Sequence, residues 1–146
     1  MLVRRAGLAD LDDLAPLFDG YRQFYGQRSD LAGARSFLAE RLRRDESVIF
    51  IAVDDDGALG FTQLYPSFSS VSVTRLWILN DLFVSPAARR GGVGRRLLER
   101  AREWAVETDA KGLTLTTALT NAAARALYES CGWRLDDEFA HYQLLV

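Results

Sequence analysis

The sequence predicts an α/β fold, a mixed and mostly antiparallel sheet of about six to seven strands with about four helices. Three observations lead there. The hydrophobic period is helical from Leu11 to Leu42 and strand-like from Val48 to Val84. An apolar run at residues 76–84 ends in a glycine-rich turn, from which an amphipathic helix departs. Beyond that helix, strand and helix patterns alternate to Val146 with no repeat, linker or low-complexity tract, so residues 1–146 read as a single domain.

Residues 2–5 form a short apolar-basic start, expected as an edge strand. Leu11, Leu14, Phe18, Tyr21 and Tyr25 fall at helical spacing, with Pro16 marking a start or kink. A second helix follows, N-capped by Ser29 or Asp30, with Leu31, Ala34, Leu38 and Leu42 on its inner face. The β-branched residues 48–53 are too short a run for a capped helix and read as a strand. Asp54, Asp55, Asp56 and Gly57 make a hairpin turn, and the return strand covers residues 58–65. Residues 66–70 read as a loop, and residues 71–84 as the long central strand, irregular near Asn80 and Asp81 where polar residues interrupt the apolar run. After the glycine turn, Val93, Leu97, Leu98, Ala101, Trp104 and Ala105 share one helical face. Residues 113–116 form a short strand. Asn121 N-caps a last helix through Ser130, which Gly132 closes, and residues 133–146 alternate in two strand segments around Asp136 and Asp137.

Composition narrows the function. The chain has 146 residues, 49% apolar and 26% charged, as a soluble globular protein does. A net charge of -2 gives no reason to expect nucleic-acid binding. The single cysteine, Cys131, excludes an intrachain disulfide, and one Cys with one His excludes a structural zinc site, so no metal is expected. No apolar stretch approaches the ~20 residues that span a bilayer. The start Met-Leu-Val-Arg-Arg lacks the apolar core of a signal peptide, so the expected location is cytoplasmic, away from membranes.

The turn at residues 89–94 carries the chemistry. Pro86 ends the strand because it has no N–H for the ladder. The first N–H groups of the following helix lack partners within it and carry partial positive charge, so an anion fits there. Gly91, Gly92 and Gly94 allow close approach, and Arg89, Arg90, Arg95 and Arg96 add full charges. No Lys follows the last glycine, as a P-loop requires, and Leu97 stands where a dinucleotide-binding fingerprint needs its third glycine. The turn reads as a pyrophosphate cradle.

The spacing Val84-x-Pro86, then Arg89-x-x-Gly92-x-Gly94, resembles the acetyl-CoA signature of the GNAT family of N-acetyltransferases. Asn121-x-x-Ala124-x-x-Leu127-Tyr128-x-x-x-Gly132-Trp133 is similar to the last-helix motif of that family. The order of elements from Leu2 to Val146 resembles the GNAT fold, whose central strands splay for acetyl-CoA. The resemblance implies an N-acetyltransferase that moves an acetyl group from acetyl-CoA to a primary amine by direct attack in a ternary complex. It implies that backbone N–H groups of Arg89, Arg90, Gly91, Gly92, Val93, Gly94 and Arg95 hold the pyrophosphate. Main-chain groups of Leu82, Phe83 and Val84 then pair with the pantetheine arm, Asn121 contacts it or begins its helix, and Tyr128 protonates the departing thiolate. The amine must lose a proton before attack, since a free alkyl ammonium has a pKa near ~10. Asp81, on the central strand, is the leading side-chain base, with a bulge-capping carboxylate, Glu138, His141 and a water relay as alternatives. Cys131 reads as an inert thiol. The family's acceptor pocket maps to Tyr21, Tyr25, Tyr65 and Trp77, whereas Phe24 and Phe68 are expected in the core. The runs at residues 21–25 and 63–70 resemble the histone/polyamine acetyltransferase-like branch and imply a small amine, amino acid or polyamine as acceptor.

Competing readings are a non-catalytic acyl-CoA-binding sensor, a protein N-acetyltransferase and a nucleotide-binding regulator. The apolar, alternating tail from Phe139 would leave an exposed edge strand, which predicts a homodimer.

Overall fold

The computed structural model describes all residues, 1–146. Residues 1–116 make one compact unit and residues 117–146 a second.

The first unit is built on a five-stranded sheet in sequence order: β1 (Leu2–Arg5), β2 (Val48–Asp54), β3 (Gly57–Ser69), β4 (Thr74–Val84) and β5 (Leu113–Thr114). All neighbours run antiparallel except β4 and β5, which pair in parallel at Trp77 with Leu113 and at Ile78 with Thr114. As expected, β1 is an edge. The chain between β2 and β3 turns at Gly57, whose φ of 129° lies in the region that favours glycine.

Two layers of helix cover the sheet. On one face, α1 (Leu11–Phe24) and α2 (Leu31–Arg43) bury Leu14, Phe18, Ala34 and Leu38 against Ile49, Ile51 and Phe61. Pro16 lies inside α1. Asp30 caps α2 by accepting the Gly33 N–H at 2.9 Å. On the other face, α3 (Val93–Glu107) buries Val93, Leu97, Leu98, Ala101 and Ala105, while Trp104 meets Phe50 edge-on at 6.0 Å and lies 5.9 Å from Trp77. This helix starts one residue after Gly92, as its apolar periodicity requires.

In the second unit, α4 (Ala122–Ser130) begins at Asn121, which accepts the Ala124 N–H at 3.4 Å. It ends in a Schellman turn: Gly132, at φ 89°, donates its N–H to Glu129 O, and Trp133 donates to Tyr128 O.

Four expectations are corrected. The sheet has five strands, not six to seven, because residues 133–146 form no strand despite their alternation. A two-period pattern shows which residues would share a face, but it makes a strand only where a neighbour completes the ladder. Second, β3 runs through Pro66 to Ser69, where a loop was expected. The pairing of β2 with β3 stops at Val48 and Leu64, so beyond Leu64 only β4 lies alongside and a proline is tolerated on the open side. Third, residues 71–73 belong to the turn before β4, with Val73 at φ 50° and both valines exposed. Fourth, Leu31 opens α2 on the solvent side, and Phe24 and Phe68 are 57% and 69% exposed rather than in the core.

Candidate active site

A one-residue irregularity in β4 builds the site. Gln63 pairs with Asp81, but the next residue on β3, Leu64, pairs with Leu79, so Asn80 is an extra residue on β4. Side chains alternate along a strand, and an extra residue inverts the phase. Before the bulge, Trp77 and Leu79 lie on the α3 face, and Trp77 packs near Trp104. After it, Asp81 and Phe83 sit opposite Gln63 and Phe61, on the face that α1 and α2 cover. If β4 ran regularly through Asn80 instead of bulging there, Asp81 would keep the phase of Leu79 and face α3. The Thr62 hydroxyl secures the bulge by donating to Asp81 O at 2.8 Å.

The inverted phase delivers a buried polar cluster. Asp81 is 2% exposed, accepting Asn80 Nδ2 at 2.9 Å on one carboxylate oxygen and Gln63 Nε2 on the other. The Tyr21 hydroxyl donates to Asn80 O at 3.2 Å and lies within hydrogen-bonding reach of the Asp81 carboxylate. Burial raises Asp81 above the usual carboxylate range, while the Asn80, Gln63 and Tyr21 hydrogen bonds pull it back down. No Lys, Arg or His offsets the burial. Burial and the Asp81 charge together raise Tyr21 well above an ordinary phenol. Tyr65 is pushed up to about 12, first by burial and then by Asp81. Tyr25 meets Tyr21 edge-on at 5.1 Å and continues the aromatic wall toward solvent. The structure thus brings Tyr21, Tyr65 and Asp81 together, with Tyr25 next to Tyr21. It does not bring Trp77, which is 4% exposed on the α3 face and donates its Nε1 proton to Thr108 Oγ1 at 2.9 Å.

The bulge also opens the sheet. Because β4 pairs with β5 only at Trp77 and Ile78, the β5-side edge of β4 from Leu79 to Val84 carries no strand. Main-chain groups of Leu82, Phe83 and Val84 on that edge are available to an extended ligand, as an added strand would use them. The strand leads through a short 3-10 turn, Pro86–Ala88, to the glycine turn. There Arg90 and Gly92 both take left-handed conformations, φ 67° and 78°. The first bond of α3 runs from Arg96 N–H to Gly92 O at 3.0 Å, and Gly92 has no capping side chain, so the N–H groups of Val93 and Gly94 point out of the helix end. A Cβ built on Gly92 meets nothing within 4 Å, and one on Gly91 touches only Ala88 O, at 3.4 Å. A phosphate therefore fits in front of the turn, by shape and by sign. Arg90 and Arg95 are exposed beside it, whereas Arg89 folds back, its Nε donating to Val84 O at 3.1 Å and its guanidinium lying 5.7 Å from the Phe83 ring. In the second unit, Asn121 caps α4, and half-buried Tyr128 lies 6.1 Å from Trp133, ring to ring. No group of three His, Cys, Asp or Glu side chains is placed to hold a metal ion, and no helix is long and apolar enough to cross a membrane.

Three residues went unrecognised in the sequence. Gln63 is fully buried against Asp81, and only its place opposite the bulge reveals it. Gly60 lets β3 approach the end of β4, since a Cβ there would sit 2.6 Å from Phe83 O; a lone glycine within a strand pattern was its signal. Asp19 ties the α1–α2 loop by accepting Ser29 Oγ at 2.6 Å and the Asp30 N–H at 2.7 Å, and nothing in its spacing marked it.

A central strand with an open edge that runs through a bulge into a glycine-rich helix start is a layout suited to a transferase of the α/β class. Comparison with known proteins gives the family. The profile described as the Acetyltransferase (GNAT) family matches residues 13–133, and the chain belongs to that family. It is 53% identical over 146 residues to YhfO of Bacillus subtilis strain 168, described as an uncharacterized N-acetyltransferase, covering 100% of this chain and 98% of that protein. It is 33% identical over 136 residues to a probable acetyltransferase of Haemophilus influenzae, covering 92% and 91% of the two chains. Among solved structures, it superposes on the crystal structure of a probable acetyltransferase with a TM-score of 0.95 at 49% identity, covering 100% and 98% of the two chains.

Proposed function

We propose that this acetyltransferase moves an acetyl group from acetyl-CoA to the primary amine of a small molecule, of the polyamine or amino-acid kind, by direct attack in a ternary complex. The observation that carries this reading is the continuous path from the open edge of β4 to the N-terminus of α3, with an uncompensated buried carboxylate beside it. The glycine turn takes the pyrophosphate, with N–H groups of the first turn of α3 as donors. Main-chain groups at Leu82, Phe83 and Val84 align the pantetheine arm, and an N–H at the bulge polarises the thioester carbonyl.

Asp81 receives the proton of the incoming ammonium; burial makes it a stronger base than an exposed carboxylate. The neutral amine then forms the C–N bond as the C–S bond breaks, and Tyr128 gives its proton to the departing thiolate. The excess proton on the new amide nitrogen is released to solvent, from which the tyrosinate is reprotonated, while Asp81 gives up the first proton to complete the cycle. Tyr21, Tyr25 and Tyr65 line the acceptor side. The reading includes a cytoplasmic homodimer joined through the tail, supported by the exposure of Tyr142 and Leu144, 90% and 88%.

The test is release of the CoA thiol from acetyl-CoA with a panel of polyamines, amino acids and simple alkylamines, with the N-acetyl product identified by mass spectrometry. Turnover with at least one member is the expected result. Tight binding of acetyl-CoA with no turnover across the panel would instead identify a non-catalytic acyl-CoA sensor.

A further inference from the structure

We propose that Gln63 is a second hydrogen-bond acceptor for the ammonium group of the acceptor substrate, and that it sets a preference for primary over fully substituted amines. The inference rests on the amine-acetyltransferase reading above and adds a specificity residue to it.

Gln63 is fully buried, and its Nε2 donates to Asp81 Oδ2, yet its Oε1 accepts no hydrogen bond from the protein. Asp81 fixes this orientation, because the flipped amide would set two acceptors against each other. An amide oxygen held unpaired in the interior is destabilising, and an apolar side chain of similar length would fill the same space without that penalty. The neighbouring groups share its polarity. The Asp81 carboxylate has no cationic partner, and the Asn80 carbonyl and the Tyr21 hydroxyl oxygen add further acceptors near it. The outer side of the cluster reaches water through exposed Asn80 and half-buried Tyr21.

A set of acceptors around an uncompensated carboxylate is complementary to a guest that brings both positive charge and several N–H donors. A primary ammonium brings three N–H groups, a quaternary ammonium none. The aromatic rings of Tyr21 and Tyr25 offer the opposite mode of recognition, in which the cation rests on π faces, needs no N–H and favours the quaternary ion. The unpaired Gln63 Oε1 favours the first mode.

The experiment titrates the CoA-loaded protein with n-butylammonium and with N,N,N-trimethylbutylammonium, reading binding by NMR line broadening, alongside calorimetry of CoA. The parent is expected to bind butylammonium at least roughly 10-fold more tightly than the trimethyl ion. Gln63→Met should weaken butylammonium by roughly 5–20-fold while leaving the trimethyl ion and CoA nearly unchanged. Equal affinity for the two ions, a quaternary preference, or no binding of either by the parent overturns the inference. So does a folded Gln63→Met that binds butylammonium as the parent does, which would mean that Oε1 holds water only. If the Met variant does not fold, the two-ion comparison on the parent decides. Loss of CoA binding by the parent would overturn the acetyltransferase reading itself, whereas turnover of acetyl-CoA without a primary preference would overturn only the role of Gln63.

Discussion

Replacing Gly92 separates what the turn does for folding from what it does for the ligand. Gly92 holds φ 78°, and a Cβ there meets nothing within 4 Å. Gly92→Ala therefore meets no clash, only the cost of a left-handed conformation for a residue with a Cβ, about 1 kcal/mol. In a chain of this length that lowers Tm by roughly 2–4 °C. Gly92→Glu carries the same backbone cost and adds a carboxylate at the mouth of the anion site. At about 5 Å from a phosphate oxygen, one pair of like charges costs ~1–3 kcal/mol between a watery and a partly buried setting. With two charges on a pyrophosphate, even the low end, about 2 kcal/mol, weakens CoA by roughly 30-fold. Calorimetric titration of CoA into parent, Ala and Glu proteins reads this directly, with thermal melts alongside. Both variants should melt alike, Ala should bind CoA within a few-fold of the parent, and Glu should lose roughly 30-fold or more. Raising salt from ~0.05 to ~1 M should narrow the gap between Glu and Ala through screening. If Glu binds CoA within about 3-fold of Ala, the pyrophosphate does not lie at this turn.

Other substitutions reach the remaining parts. Tyr128→Phe keeps the ring near Trp133 and removes one oxygen, so kcat should fall by roughly 10–10²-fold with CoA affinity and Tm nearly unchanged; parental turnover with chemistry rate-limiting would reduce Tyr128 to a packing residue. Hydrogen bonds from Ser29 and Asp30 hold Asp19 below the usual carboxylate range, so its contribution to stability is present above the unfolded pKa and lost as pH falls through the folded one. Asp19→Asn should thus melt below the parent at neutral pH, by about 1–2 kcal/mol, and the gap should close as pH drops below ~4; a gap independent of pH would assign the loss to geometry rather than charge. For the tail, light scattering should give twice the 16.3 kDa chain mass, and Leu144→Asp should shift it to monomer; a monomer mass at every concentration removes the dimer.

Much of this architecture was legible because it is local. Asn121 and Asp30 cap their helices, and Gly57, Gly92 and Gly132 occupy the positive-φ positions that their turns require. Two polar residues in an apolar run located the bulge at Asn80. What depends on neighbours was not legible. The alternating tail resembles a strand in isolation, yet pairing is a property of two segments, and none pairs with it here. Trp77 shows the same limit: aromatic and near the expected pocket in sequence, it falls on the far face because it precedes the bulge, and Thr108 satisfies its indole.

The bulge accounts for why the residues divide as they do. The bulge shifts the alternation of β4 by one residue, so the odd-numbered Asp81 and Phe83 face α1 and α2 while the odd-numbered Leu79 stays against α3. The same irregularity lies where β4 parts from β5, so the polar cluster and the open edge occur together rather than by separate device. Were β4 to run regularly through Asn80, with that residue paired instead of bulged, Asp81 would take the phase of Leu79 and turn its carboxylate into the apolar layer around Leu97 and Leu98, with no partner there to satisfy it. The ladder is weaker at this place, and the buried polar cluster that the bulge delivers is what two polar residues in the middle of an otherwise apolar strand provide.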